Sequence, residues 1–260
     1  MTLMPVKYKL IAFQTIVWKE IRRFLRIWVQ TLVPPVITIS LYFVIFGKMI
    51  GSRSGEMCVF SYMQFIVPGL IMMAVINNAY ANVVSSFFGQ KYQRSIEELL
   101  VSPVPNYIIL SGFVAGGMVR GLLVGLVACL VSLFFTGLNV SHMFITIMVV
   151  LMSSIVFSLG GFINAIFANK FDDITIIPTF VLTPLIYLGG VFYSVDLLPP
   201  VWKAISQINP IFYMVNAFRY GILGTSDVDI TYAFSMLVIF TIVLFSYSMF
   251  LLRRGTGLRY

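Results

Sequence analysis

The chain has 260 residues, of which 60% are hydrophobic and 10% charged, and its mean hydropathy is +0.99. A soluble domain is roughly half apolar and a quarter charged, so a water-soluble globule is excluded. The net charge of +8 is accounted for by membrane topology and anionic lipid, and nucleic acid is not expected as a partner.

Residues 6–28 are too charged to span a membrane but keep a helical period. Leu10, Phe13, Val17, Ile21, Phe24 and Trp28 make one face, and Thr15, Lys19, Arg22 and Arg26 lie opposite. This predicts an amphipathic helix lying on the inner leaflet. It is either a basic anchor that sets topology or an elbow that also touches a cytoplasmic partner. No cleavable signal peptide is expected, because the first apolar run starts late, is too long and contains Pro34-Pro35.

Six apolar runs approach the ~20 residues a spanning helix needs. They cover residues 29–50, 60–85, 107–136, 143–168, 174–193 and 232–252. Their continuity predicts helices, since barrel strands alternate over about ten residues. The fold class expected is therefore an all-α integral membrane protein. Pro34-Pro35, Pro68-Gly69, Pro178 and Pro184 predict kinks or breaks. Gly117, Gly121 and Gly125 share one face of the third run, and Ser154, Ser158 and Gly161 recur at similar spacing in the fourth. Such faces let helices approach closely, within one subunit or at a dimer seam.

Between the second and third runs lies QKYQRSIEELLVSPVPN, residues 90–106. Residues 91–100 predict a short helix parallel to the membrane, ended by Pro103 and Pro105. Glu97 and Glu98 project from it, while Ile96, Leu99 and Leu100 form an apolar patch. It reads either as a surface for a cytoplasmic protein's groove or as a connecting turn. Residues 182–224 carry a further feature. The fifth run stops at Gly189-Gly190, and a proline-broken apolar hairpin follows with Asp196, Pro199-Pro200, Trp202 and Asn209-Pro210. A chain that turns on prolines at the outer boundary without crossing predicts a gate or lid.

Basic residues set the orientation. Lys7, Lys9, Lys19, Arg22, Arg23, Arg26, Lys91, Arg94, Lys170, Arg253, Arg254 and Arg259 share one side, against Lys48, Arg53, Lys203 and Arg219 on the other. Both termini are expected in the cytoplasm. The acidic residues Glu20, Glu56, Glu97, Glu98, Asp172, Asp173, Asp196, Asp227 and Asp229 all fall outside the runs. A carrier driven by protons or sodium usually needs a buried carboxylate, so a self-powered carrier is disfavoured. No G-x-x-x-x-G-K-[ST] phosphate loop is present. The single His142 reads as a loop residue rather than a metal ligand, and Cys58 and Cys129 are not expected to pair. Arg120 alone lies near the middle of a run, at a cost of at least about 2.5–3.5 kcal/mol unless it snorkels or finds partners. It either lines a path for an anionic group or satisfies backbone carbonyls.

Two segments, YLGGVFYSVDLLPPVWKAISQINPIFYMVNAFRYGILG and QRSIEELLVSPVP, together resemble the membrane permeases of type-2 ABC transporters, and the likeness covers essentially the whole chain. The resemblance implies a homodimer of six-span subunits in the bacterial inner membrane. Each subunit would bind a separate ABC ATPase, so two copies are expected. ATP and magnesium belong to that partner, and no cofactor is expected on this chain. Residues 1–28 would be the connecting helix and residues 29–260 the six-span permease domain. A coupling helix at about 91–104 would present Arg94, Ile96, Glu97, Glu98, Leu99, Leu100 and Pro103. The re-entrant hairpin at about 194–224 would form the outer gate with Asp196, Leu197, Pro199, Asn209 and Pro210.

The function expected is a transport subunit, not an enzyme, exporting an amphipathic, lipid-linked, saccharide or drug-like substrate. Arg120, Tyr187, Phe192 and Tyr193 are candidates for the translocation path. The rivals are a standalone channel or facilitative carrier, and a membrane scaffold or sensor.

Overall fold

The computed structural model describes residues 5–45, 62–137 and 140–257. Lys48, Arg53, Glu56, Cys58 and Arg259 lie outside these residues. The described chain is helical, without strands. In order it forms α1 (Val6–Arg26), α2 (Trp28–Ile45), α3 (Tyr62–Tyr92), α4 (Ser95–Val101), α5 (Asn106–Leu133) and α6 (Met143–Phe167). Then come α7 (Asp173–Ile177), a π-turn (Pro178–Leu182), α8 (Thr183–Leu188), a 3₁₀ turn (Val195–Leu197), α9 (Pro200–Ile208), α10 (Pro210–Leu223) and α11 (Ile230–Arg254).

Among the described residues five helices, α2, α3, α5, α6 and α11, are long and apolar enough to cross a membrane. The expected fifth run differs. Its helical stretch ends at Leu188, short of the ~20 residues needed, because the chain turns at Gly189 and at Gly190, whose φ is +74°. Pro178 opens the π-turn and Pro184 lies in α8 directly after it. By contrast, α2 and α3 continue as helices through Pro34-Pro35 and Pro68.

The core is built around α3, buried along most of its length. α5 and α6 come close to it because their facing positions are small. A Cβ on Gly117 would strike Ser158, and one on Gly121 would lie 2.6 Å from the Ser154 hydroxyl and 3.2 Å from Ala79. Gly161 likewise sits under the Tyr80 carbonyl, 2.5 Å from where its Cβ would be. The small-residue faces thus serve contacts within the chain. Phe87 packs against Phe113 and Phe162 with ring centroids 5.3 and 4.3 Å away.

The two arms of the expected hairpin have different fates. α9 leaves Val201, Trp202, Ile205 and Ile208 exposed, whereas Ile211, Met214, Val215, Ala217 and Phe218 of α10 are fully buried. α10 packs among α3, α6 and α11.

α1 follows the expected face in part. Phe24 is buried, Phe13, Val17 and Ile21 are half-buried, and Thr15, Lys19, Arg22 and Arg26 are exposed. Leu10, however, is exposed, and Ile16 and Glu20, outside that face, are buried. The reason lies in α5. Cβ atoms on Gly112 and Gly116 would come within 2.6 and 2.5 Å of Ile16 and Glu20, so these glycines open a channel in which α1 lies lengthwise.

Candidate functional site

At the end of the bundle that carries α4, the short helix is shorter than residues 91–104. α3 runs on to Tyr92, and the chain turns at Arg94, whose φ of 59° is left-handed. That conformation costs a non-glycine residue roughly 1–2 kcal/mol. Ile96 is buried, and Leu99, Leu100 and Val104 pack against the core. Glu97, Glu98, Val101 and Pro103 face outward. The apolar patch therefore holds α4 to its own bundle, and its outer side is acidic. Both carboxylates stand in the first turn, where the helix dipole favours them.

Lys91, expected in that short helix, belongs to α3 and is buried. Its Nζ donates to the carbonyls of Ile166 and Ala168 at 2.6 and 2.7 Å. These are orphan acceptors at the C-terminus of α6, so the ammonium acts as a cap supplied from another helix. Beyond it, Phe171 packs on Phe88 and Tyr92 with centroids 5.1 and 4.9 Å apart. Asp173, at the far end of this turn, accepts from the backbone amides of Asn169 and Lys170 at 2.8 and 2.9 Å. Those two amides hold its carboxyl below the usual carboxylate range.

A polar network joins α1 to α3. Glu20 is completely buried. Its Oε1 accepts from the Ser86 hydroxyl at 2.6 Å, and its Oε2 lies 3.3 Å from Arg23 Nε. Arg23 Nη2 donates to both the backbone and the side-chain oxygen of Asn82 at 2.8 Å. The expectation that no acid is buried is thereby corrected: Glu20 lies outside the spanning runs but not in water. A carboxylate without partners could not be held there charged, and Arg23 and Ser86 supply them.

Arg120 is carried by α5, where its Nη2 donates to Asn78 Oδ1 at 3.1 Å. Its buried Nε has no partner among the described residues. Asn78 also lines a cavity of about 200 Å³ between α2 and α3, with Gln30, Thr38 and Asn77.

At the opposite end, Tyr187, Phe192 and Tyr193 come together with Tyr42 and Tyr62. Phe192 lies 5.4 Å from Tyr42 and 5.6 Å from Tyr187, centroid to centroid. Tyr193 donates to the Tyr187 carbonyl at 2.9 Å, and Tyr62 to that of Phe192 at 3.2 Å. Of the hairpin residues, Asp196 pairs with Lys203 at 2.7 Å in an exposed salt bridge. Such a pair is worth ~1 kcal/mol or less. Leu197 and Pro199 are exposed and Pro210 is half-buried. Asn209 is buried; it accepts from the Ile211 amide at 3.0 Å, capping α10, and donates to the Leu185 carbonyl at 2.6 Å.

Sequence reasoning missed Arg219, which it counted only as a topology charge. The side chain is 1% exposed and donates to the Gly190 carbonyl at 2.7 Å and to Asn216 at 3.3 Å. It lies 3.8 Å from Asp227 and 3.8 Å from the centre of the Phe65 ring. Asp227 in turn accepts from Ser194 at 3.0 Å. One guanidinium thus gathers α3, the turn after α8, α10 and the loop before α11. His142 is a loop residue as expected, stacked on Tyr220 at 5.1 Å. Among the described residues no cluster fit for a metal ion occurs.

Residues 11–223 match the family described as ABC-2 type transporter. The chain is 57% identical to the inner membrane transport permease YadH of Escherichia coli K12, over 96% of this chain and 97% of that one. It is 24% identical to nodulation protein J of Rhizobium leguminosarum bv. viciae, over 80% and 79% of the two chains. The likeness runs along nearly the full length, and the chain belongs to the ABC-2 type transporter permease family.

Proposed function

We propose that this chain is the membrane subunit of an ATP-driven exporter in the bacterial inner membrane. It moves an amphipathic, lipid-linked, saccharide or drug-like substrate out of the cytoplasm. Membership of the family makes the chain a transport subunit rather than a catalyst and implies an ABC ATPase as its partner. The inner-membrane placement is supported by the name of the E. coli relative. ATP and magnesium are bound by the ATPase, two copies of which serve a homodimer of this chain. Both termini are cytoplasmic, supported by Lys7 and Lys9 at one end and Arg253 and Arg254 at the other. The six spans are α2, α3, α5, α6, the broken stretch from α7 to α8, and α11. Residues 1–28 form the connecting segment.

The observation that carries this reading is the geometry of α4. Ile96, Leu99 and Leu100 fasten it to the core, and Glu97, Glu98, Val101 and Pro103 are left facing outward. Such a helix is fixed enough to transmit force and open enough to receive a partner. Its other neighbour is Arg94, whose turn joins it directly to α3, the centre of the bundle. Closure of two ATPases displaces α4 and with it α3, favouring one of two access states. At the outer end, the hairpin with Asp196, Leu197, Pro199, Asn209 and Pro210 serves as the re-entrant gate. Arg120 and the Tyr187–Phe192–Tyr193 group border the path.

The test is affinity isolation of the full chain from mildly solubilised membranes, with mass spectrometry of what accompanies it. The expected result is a stoichiometric ATP-binding-cassette protein. A clean oligomer without an ATPase, which passes solute alone in vesicles, would replace this reading with a channel or facilitative carrier.

A further inference from the structure

A further cavity lies apart from the Tyr187, Phe192 and Tyr193 group. It is a groove of about 1080 Å³ along α1, lined by Phe13, Trp18, Lys19, Arg22, Arg23 and Arg26, among others. Of its four cations only Arg23 is committed, to Glu20 and Asn82. Lys19, Arg22 and Arg26 make no hydrogen bond or ion pair with any described residue. Arg22 does lie 5.1 Å from the centre of the Trp18 ring. Glu20 cannot neutralise them, because it faces the opposite way, buried against Ser86.

From this arrangement we infer that the groove is a binding site for the phosphate-bearing headgroup of an anionic membrane lipid. Three unmatched cations converge on one concave surface, which calls for an anion of more than one charge-bearing oxygen. Arginine suits phosphate in particular, since its fork donates two parallel hydrogen bonds. The neighbouring side chains select a lipid over a free anion. Trp18 and Ile27, which line the groove, are 54% and 40% exposed, an apolar border against which acyl chains can lie. The position agrees, because α1 docks on the first half of α5, just beyond α4, where the inner leaflet is placed. A lipid seated here would press on the element that Arg23 and Glu20 tie to α3, so leaflet composition would bear on the core of the bundle. The inference rests on the cytoplasmic placement of the α4 end. Its test needs neither ATPase nor cargo, so it can fail while the transport reading stands.

The test is native mass spectrometry of the full chain released from micelles containing equal phosphatidylglycerol and phosphatidylethanolamine. The wild type is expected to retain phosphatidylglycerol preferentially. Each cation near such a headgroup is worth about fivefold, so R22Q with R26Q should lower the preference by about twenty-five-fold. K7Q with K9Q, on the same helix but outside the groove, should leave it within about twofold. If the arginine pair is not recovered folded, K19Q with R26Q is measured in its place. An unchanged preference in the groove variants, or an equal loss in K7Q/K9Q, overturns the site. Displacement of the lipid by millimolar inorganic phosphate overturns its assignment to a lipid.

Discussion

Arg219 donates a 2.7 Å hydrogen bond to the carbonyl of Gly190, the residue at which the chain leaves α8 for the hairpin. The pair places a buried cation at the junction of the helix that stops short and the helix that fills the core. Gly190 has φ of +74°, a conformation that leaves its carbonyl free of the α-helical ladder and available to the guanidinium.

Replacing Arg219 by Met should therefore destabilise the protein by about 3 kcal/mol, because Asp227 loses its counter-charge and the Gly190 carbonyl its donor. Arg219→Lys keeps the charge but cannot reach Gly190, Asn216 and Asp227 together, and should recover about half. The midpoint of thermal unfolding in detergent measures both. Equal midpoints for wild type and Arg219→Met would deny Arg219 this role.

Glu20 and Arg23 should behave as a coupled pair. Arg23→Met leaves Glu20 buried with only the Ser86 hydroxyl, at a cost of about 3 kcal/mol, whereas Glu20→Ala leaves Arg23 its bonds to Asn82 and should cost less. The double variant should cost less than the sum by at least ~1 kcal/mol. Additive losses in a double-mutant cycle would mean that the two side chains act separately.

The glycines divide by what surrounds them. A Cβ on Gly69 would strike the Val191 backbone, and one on Gly116 would sit 2.5 Å from Glu20 Cβ. Gly69→Ala should cost roughly 3 kcal/mol and Gly116→Ala somewhat less, since a side chain yields more easily than a backbone. Gly89 has open space around it, and Gly89→Ala should be neutral or gain up to about 1 kcal/mol of helix propensity. Yield of folded protein and thermal midpoint rank the three.

Lys91→Met should loosen the turn between α6 and α7. Two carbonyls lose a charged donor, worth roughly 3 kcal/mol or more together. Hydrogen exchange should rise in residues 168–173 while the centre of α3 stays protected. A uniform rise along the whole chain would instead indicate global loss.

The elements written in the sequence are those that depend on local pattern. Apolar runs long enough to span, the glycine face of α5 and the break at Pro178 each follow from residues close together in the chain. Glu20 was legible only as a charge, because its burial depends on Gly116 and Ser86, distant in sequence. Arg219 is likewise legible only as a charge, and Lys91 only as a charge at the start of the short helix. The carbonyls that hold them, Ile166 and Ala168 in one case and Gly190 in the other, belong to segments 75, 77 and 29 residues away. The short helix was placed correctly between α3 and α5 but begun too early, since nothing local announces that α3 continues to Tyr92. Its apolar patch was visible, whereas the side it faces was settled by tertiary packing.

The central claim is that the outward side of α4 receives an ATPase. Charge reversal by Glu97→Arg with Glu98→Arg tests it directly, because both side chains are exposed and make no bond to the described residues. The variant should insert and fold like the wild type, judged by its elution volume and thermal midpoint, yet lose at least about tenfold of the co-purifying ATPase, the expected penalty for placing like charges across an interface. Retention of the ATPase at wild-type stoichiometry by the folded variant would contradict the assignment of α4 as the coupling helix.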